Sequence, residues 1–267
     1  MIIDGNYFHI VFNKKYGQNF ITDKNLLAAI AEDAGVTKED TVVEIGAGAG
    51  TLTRALADKA KNVIAFEIDE TLRPVLSQTL LGRENVRVIF EDFMKNSEPL
   101  PARFKVVANL PYYVTTPIVM RLLEGDEIPE SVTVMVQKEV AERLTAKPGT
   151  AEYGAITASM ELVADAKITR IVGRQNFMPP PNVDSAVVRL DLKDKGYQKE
   201  EIAEARKLIR AAFNMRRKTL NNAIAGICGG KENAAALIAK AGFPSNVRGE
   251  RLSAEDYIKL ARALRAH

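Results

Sequence analysis

Five short apolar runs rich in β-branched residues mark the first half of the chain: TVVEIG (41–46), NVIAFEI (62–68), VRVIF (86–90), FKVVANL (104–110) and SVTVMVQ (131–137). Stretches with helical spacing lie between and after them, among them TLTRALADKAK, TLRPVLSQTLL, PIVMRLLEG and KEVAERL. A strand with one wet face alternates apolar and polar residues, whereas these runs are nearly continuous. They predict a mostly parallel sheet covered by helices on both faces. After the helical YGAITASMELVAD come KITRIVG and VDSAVVRLDL, joined by a proline-rich connection too short for a helical crossover. That pair predicts an antiparallel hairpin at the sheet's edge and completes a set of seven strands. From about residue 196 the β runs stop, and helical spacing continues through KEEIAEARKLIRAAF, KTLNNAIAGI, ENAAALIAKAG and AEDYIKLARALRA. The pattern predicts an α/β domain over 1–195 and a small all-α domain over 196–267, with LKDKGYQ as the linker.

Composition narrows the chemistry. With 46% hydrophobic residues in 267, the chain can bury a substantial core. Its longest apolar stretches fall far short of the roughly 20 residues a membrane span needs, and the N-terminus lacks a signal-peptide layout, which predicts a soluble cytoplasmic protein. The single cysteine, Cys228, excludes an internal disulfide, and the two histidines, His9 and His267, stand near opposite ends. A zinc site and a Ser-His-Asp triad are thereby excluded. The net charge of +3 does not by itself mark a nucleic-acid binder, but its distribution is uneven. ARKLIRAAFNMRRKTL (205–220) holds six basic residues and no acid. Arg210 and Arg217 share a face if one helix continues through this run, with Arg206 one turn before Arg210. Lys14 and Lys15 add charge in NKKYGQ. Such an array suits the phosphates of structured RNA, with Arg206, Arg210, Arg217, Lys218, Lys14 and Lys15 as its contacts.

VVEIGAGAGTLT places Gly46, Gly48 and Gly50 between a strand and a helix, where the backbone turns tightly and approaches a ligand closely. The third glycine comes one residue too early for the dinucleotide fingerprint, and Glu44 would repel phosphates. The loop suits a ligand without phosphate, and a positively charged one. The next strand ends in Glu67, 21 residues after Gly46, where an acid accepts from both hydroxyls of an adenosine ribose. The third ends in FEDF, whose Asp92 can accept from an adenine amine. The fourth runs into NLPYYVTTP (109–117), an amide, a proline and two tyrosines together.

With these motifs in order, the chain resembles the KsgA-type family of ribosomal small-subunit RNA adenine-N6 dimethyltransferases. KKYGQNFITD, VEIGAGAGTLT, FEID, EDFM, NLPYYVTTPI, VQKEVAERL, FMPPPNVDSAV, FNMRRKTL and RGERLS carry the likeness across almost the whole chain. It implies a Rossmann-like methyltransferase domain with a helical RNA- or ribosome-binding domain, and S-adenosyl-L-methionine as cofactor. The family's cofactor contacts fall on Asn19, Ile21, Gly46, Glu67, Asp92 and Asn109, with Gly48 in the same loop. The implied substrate is a pair of adjacent adenosines near the 3′ end of small-subunit (16S) ribosomal RNA, within a partly assembled 30S particle, acted on by a monomer without a metal. One departure is Asn182, where the family often has lysine; it leaves the aromatic residues in place and takes away a cation.

An adenine N6 amine is a poor nucleophile because its lone pair is delocalised into the ring. The Asn109 side-chain oxygen and the Leu110 carbonyl can accept its two N–H bonds and localise that pair, while Pro111 holds the preceding residue extended. Tyr112 offers a stacking face to an extruded base, and the resemblance gives Phe177 the opposite face. Positioning and electrostatics carry such a transfer without a histidine. The glycine loop and the N-x-P-Y core do not separate this family from the erythromycin-resistance methyltransferases of large-subunit RNA; NLPYY, FMPPPNVDSAV and the helical tail favour the small-subunit enzyme. A non-catalytic assembly or transcription factor on the same fold is disfavoured by the intact acids and Asn109, and an NAD oxidoreductase by the glycine spacing and Glu44.

Overall fold

The computed structural model describes residues 2–3, 6–8, 17–125 and 127–265, which divide into two compact units. The first comprises residues 1–141 and 166–192, the second residues 142–165 and 193–267. The division departs from a single break near residue 196, because the segment 142–165 belongs with the helical unit. The reason lies in its side chains: Tyr153, Ala158 and Leu162 are buried in one cluster with Leu208, Ile209 and Tyr257. No helix among the described residues is long and apolar enough to cross a membrane.

The first unit is built on a seven-stranded sheet: β1 (Thr41–Ile45), β2 (Asn62–Glu67), β3 (Val86–Phe90), β4 (Lys105–Asn109), β5 (Ser131–Gln137), β6 (Ala164–Val172) and β7 (Ser185–Leu192). Their spatial order is β3-β2-β1-β4-β5-β7-β6. The first five are parallel, and β7 runs antiparallel to β5 at the edge it shares with β6. The continuous apolar runs take the centre, where Val42, Val43, Val106 and Val107 are fully buried. The chain steps outward from β1 to β3, then returns to the other side of β1 for β4. That reversal opens a crevice at the carboxyl ends of β1 and β4, the place where open α/β sheets bind ligands.

The helices of this unit are α1 (Lys24–Asp33), α2 (Thr51–Ala57), α3 (Arg73–Thr79) and α4 (Thr115–Glu124), and α5 (Lys138–Leu144) carries the chain out of it. Helix α1 has no counterpart in the strand-and-helix reading of the sequence. It is capped by Asp23, whose carboxylate accepts from the Asn25 and Leu26 amides, and it buries Leu27, Ile30 and Ala31. A two-residue antiparallel ladder joins Phe20–Ile21 to Phe177–Met178, pairing Ile21 with Phe177.

The second unit holds α6 (Ala155–Glu161), α7 (Lys199–Asn214), α8 (Leu220–Ile224), α9 (Lys231–Lys240) and α10 (Ala254–Arg265). Helix α7 starts in a capping box between Gln198 and Glu201 and buries Ala205, Leu208, Ile209 and Ala212, the three-and-four spacing of an amphipathic helix. It stops at Asn214, because Met215 leaves helical geometry (φ −118°, ψ 40°) and a turn follows. Arg217 and Lys218 therefore lie beyond the helix, and the shared face expected for Arg210 and Arg217 does not form.

Candidate active site

The site grows from the turn after β1. Gly46 and Gly48 have φ of +82° and +57°, the left-handed region that side chains resist. The amides of Gly46 and Ala47 both donate to the Phe66 carbonyl, at 2.8 and 3.0 Å, which pins the turn to β2. A Cβ on Gly48 would come within 2.9 Å of the Phe20 ring, so that glycine is required by contact as well as by dihedral.

Glu67 closes β2 beside this turn. It is 5% exposed, and its carboxylate accepts from the Gly48 amide at 2.7 Å and the Asp69 amide at 2.8 Å. Burial pushes its pKa up, and the two amides work against that shift. One bond to each oxygen leaves further lone pairs for a ligand's hydroxyls. Asp69, also buried, accepts from Gln18 Nε2 at 2.8 Å and from the Thr71 hydroxyl at 2.6 Å.

Across the crevice, Asn109 ends β4. Its Nδ2 donates to the Asn19 carbonyl at 3.1 Å, which leaves Oδ1 as the side chain's acceptor. Asn19 in turn donates to the Gly17 carbonyl, and Thr51 Oγ1 donates to the Ile21 carbonyl at 2.7 Å. Residues 17–21 are thus laced to α2, β4 and the Phe177 strand, and form one wall of a recess. Gly46, Gly48, Glu67, Ile68, Asn109 and Tyr112 complete that recess. A second recess, lined by Asp92, Phe93, Met94, Tyr113, Val114 and Ile118, shares Gly46, Ile68, Leu110 and Pro111 with the first. The two recesses adjoin across these four residues and form a trough over the carboxyl ends of β1 to β4. Asp92 caps the turn after β3 through the Met94 amide at 3.0 Å.

The sequence-predicted cofactor residues Asn19, Ile21, Gly46, Gly48, Glu67, Asp92 and Asn109 all line this trough. Leu110, Pro111 and Tyr112 do so too. Tyr112 is half-buried, and its hydroxyl meets the Ser185 hydroxyl at 2.8 Å; burial pushes its pKa up. Phe177 is different. It is 6% exposed and packed in the apolar core with Phe20 and Ile21, so it presents no open face to a base here. In the second unit Arg210, Arg217 and Lys218 are exposed, whereas Arg206 is half-buried with its Nε out of solvent. Lys14 and Lys15 lie outside the described residues.

Sequence reasoning assigned no role to Gln18, Phe20, Thr51, Asp69 or Ser185. Phe20 and Gln18 fall inside the motif QNFITD, so their neighbourhood was marked but not their contacts. Ser185 meets Tyr112 across 73 residues of chain and has no local signal. Among the described residues no group of three or more His, Cys, Asp or Glu side chains could hold a metal ion.

Glu44 is the anomaly of the site. It is fully buried on β1, and neither carboxyl oxygen has a hydrogen-bond partner. Burial pushes its pKa up to about 8; the neighbouring Thr53 hydroxyl opposes this and the charge of Glu67 adds to it. Glu44 lines neither recess but stands on the strand that leads into the glycine turn, and an acidic trough with such a turn fits a nucleoside that carries positive charge and no phosphate.

Residues 10–265 match the family model described as ribosomal RNA adenine dimethylase. A curated relative from Clostridium acetobutylicum, named ribosomal RNA small subunit methyltransferase A, is 42% identical over 95% of this chain and 94% of its own. One of the same name from Shouchella clausii is 45% identical over 94% of this chain and 89% of its own. Among solved structures, a dimethyladenosine transferase from Plasmodium falciparum superposes with a TM-score of 0.76 at 27% identity, covering 90% of this chain and 95% of that one. The 23S rRNA methyltransferase ErmE superposes at 0.75 with 28% identity, covering 92% of this chain and all of that one.

Proposed function

The chain belongs to the ribosomal RNA adenine dimethylase family, and from that premise we propose that it transfers methyl groups from S-adenosyl-L-methionine to N6 of two adjacent adenosines near the 3′ end of small-subunit ribosomal RNA. The observation that carries the reading is the convergence of Glu67, Asp92 and Asn109 on one trough at the point where the strand order reverses. Curated relatives at 42–45% identity bear the small-subunit name, against 28% for the large-subunit enzyme.

When bound, the cofactor supplies an electrophilic methyl group on a sulfonium. Glu67 holds the ribose hydroxyls with the lone pairs its backbone bonds leave open, and Asp92 accepts from the adenine amine. The turn at Gly46 and Gly48 and the wall from Asn19 to Ile21 enclose the remainder. Asn109 Oδ1 and the Leu110 carbonyl accept the target's N6–H bonds, which draws the nitrogen lone pair out of conjugation. Tyr112 supports the extruded base, with stacking of about 1–3 kcal/mol set against a similar cost of extrusion. A stacking role for Phe177 requires its ring to turn out of the core when RNA binds. Arg210, Arg217 and Lys218, with Lys14 and Lys15, contact RNA phosphates of a partly assembled small subunit, and the enzyme acts as a monomer in the cytoplasm.

Nucleoside analysis of small-subunit particles incubated with the protein and labelled cofactor tests this. The expected product is N6,N6-dimethyladenosine at two neighbouring positions. Label confined to large-subunit RNA, or a product that stops at monomethyladenosine, overturns it.

A further inference from the structure

Behind the glycine turn stands a carboxyl group that the scheme above does not use. Glu44 sits opposite Ala65 of β2 and Val107 of β4, and its two oxygens are out of solvent without a hydrogen bond. The polar group nearest in effect is Thr53 of α2, equally buried, whose hydroxyl also lacks a well-formed bond. The charged group acting on it is Glu67 at the end of β2, of like sign, and buried Asp69 follows two residues on. From β4 the neighbour is apolar Val107, and Arg54, next to Thr53 on α2, is partly exposed. Three acids therefore crowd one turn, and among the described residues none of the three is in an ion pair.

An isolated carboxylate in such a place takes up a proton rather than remain charged. We propose that Glu44 is a proton-linked positioning residue for the cofactor: it is a neutral acid in the cofactor-free protein, and it ionises, its proton leaving to water, when a sulfonium occupies the trough beyond the glycine turn. The inference rests on the reading that this trough binds S-adenosylmethionine. The anion then offsets the sulfonium charge in a site from which water is excluded. Once the methyl group has gone, the thioether product is neutral and Glu44 recovers its proton. Glu44 thus favours the charged cofactor over the spent one, which suits an enzyme that must exchange cofactor between successive transfers to one base.

Titration calorimetry of the full chain and of Glu44→Gln, near pH 7 in buffers of different protonation enthalpy, tests this. Binding of S-adenosylmethionine to the unmodified protein should release close to one proton more than binding to Glu44→Gln. Release should be smaller with S-adenosylhomocysteine. Between about pH 6 and 8 the unmodified protein's affinity for S-adenosylmethionine should rise by up to about tenfold per pH unit relative to the variant, the limit for one linked proton. Equal proton counts in the two proteins, or equal release with both ligands, overturn the role of Glu44. Absence of binding by either ligand instead overturns the cofactor reading itself, a distinguishable result. The cofactor-free protein gives a second readout that does not depend on the variant folding: the Glu44 carboxyl carbon resonance should report a protonated acid at pH 7. An ionised carboxyl at pH 6 overturns the proposal.

Discussion

Glu67 holds the glycine turn through the same carboxylate that the proposed function assigns to the cofactor's ribose. Its bonds to the Gly48 and Asp69 amides hold it in place, so its remaining lone pairs are preorganised. Glu67→Ala should weaken S-adenosylmethionine binding by about 1.5–3 kcal/mol, the scale of a hydrogen bond to a charged group. Calorimetry with unchanged affinity would remove it from the site. Asn109→Ala should slow single-turnover methylation at saturating cofactor by about a hundredfold, the loss typical of one preorganised polar group; a normal rate would refute the assigned chemistry. Tyr112 and Ser185 act on one degree of freedom, the tilt of the phenol ring, because their hydroxyls bond to each other. Tyr112→Phe and Ser185→Ala should each raise the barrier by about 0.5–1.5 kcal/mol, and the double variant by no more than either. Fully additive losses would show that the two hydroxyls act separately. The buried Glu44 also sets a sign for stability. Its folded pKa of about 8 lies above the ordinary value near 4.5, so the folded state holds the extra proton across that window. Stability falls as pH rises through it, and the denaturation midpoint should drop relative to Glu44→Gln from pH 5 to pH 8.

Among the elements, the central parallel strands were legible because they bury both faces and so read as unbroken apolar runs, and the edge strand β3, only partly buried, was legible from its β-branched residues. Helix α1 was not, since KNLLAAIAED precedes the first strand run and so lies outside the alternation of strands and helices that marks the others. The segment 17–21 was legible as a motif, but its role as a wall comes from Thr51, Asn109 and the Phe177 strand, all distant in sequence. Whether α7 continues through the basic run was left open by the sequence for a related reason. Basic residues continue past Asn214 with helical spacing, yet apolar residues for the core do not. The turn of RGERLS packs onto that helix: a Cβ at Gly249 would lie 2.5 Å from Ala212 Cβ and 2.7 Å from the Tyr257 hydroxyl. Gly249→Ala should therefore destabilise the helical unit by about 1–3 kcal/mol, the usual cost of overpacking. Urea unfolding that shows no loss would mean the contact relaxes freely.

For the whole molecule, the division of labour can be tested through salt. Arg210, Arg217 and Lys218 belong to the helical unit, whereas the residues that line the trough belong to the α/β unit. Neutralising all three should leave cofactor affinity unchanged and weaken binding to the small-subunit particle. If three phosphate contacts go, the log-log salt slope should become shallower by about 2, at roughly 0.7 per contact with single strands. An unchanged slope would mean that these residues are merely solvated.

The sequence by itself determined the fold class, the family, the row of strand-end residues from Gly46 through Glu67 and Asp92 to Asn109, and the basic run in the helical tail. Each of these is written locally, as an apolar period, a glycine spacing or a short motif. Tertiary structure alone decided that residues 142–165 join the helical unit, that Phe177 lies in the core, that Tyr112 leans on Ser185 and that both Glu44 oxygens are out of solvent without a well-formed hydrogen bond. Those outcomes depend on which distant side chains come together and on how much water they exclude. Contact and desolvation are properties of the packed chain, and no stretch of the sequence displays them.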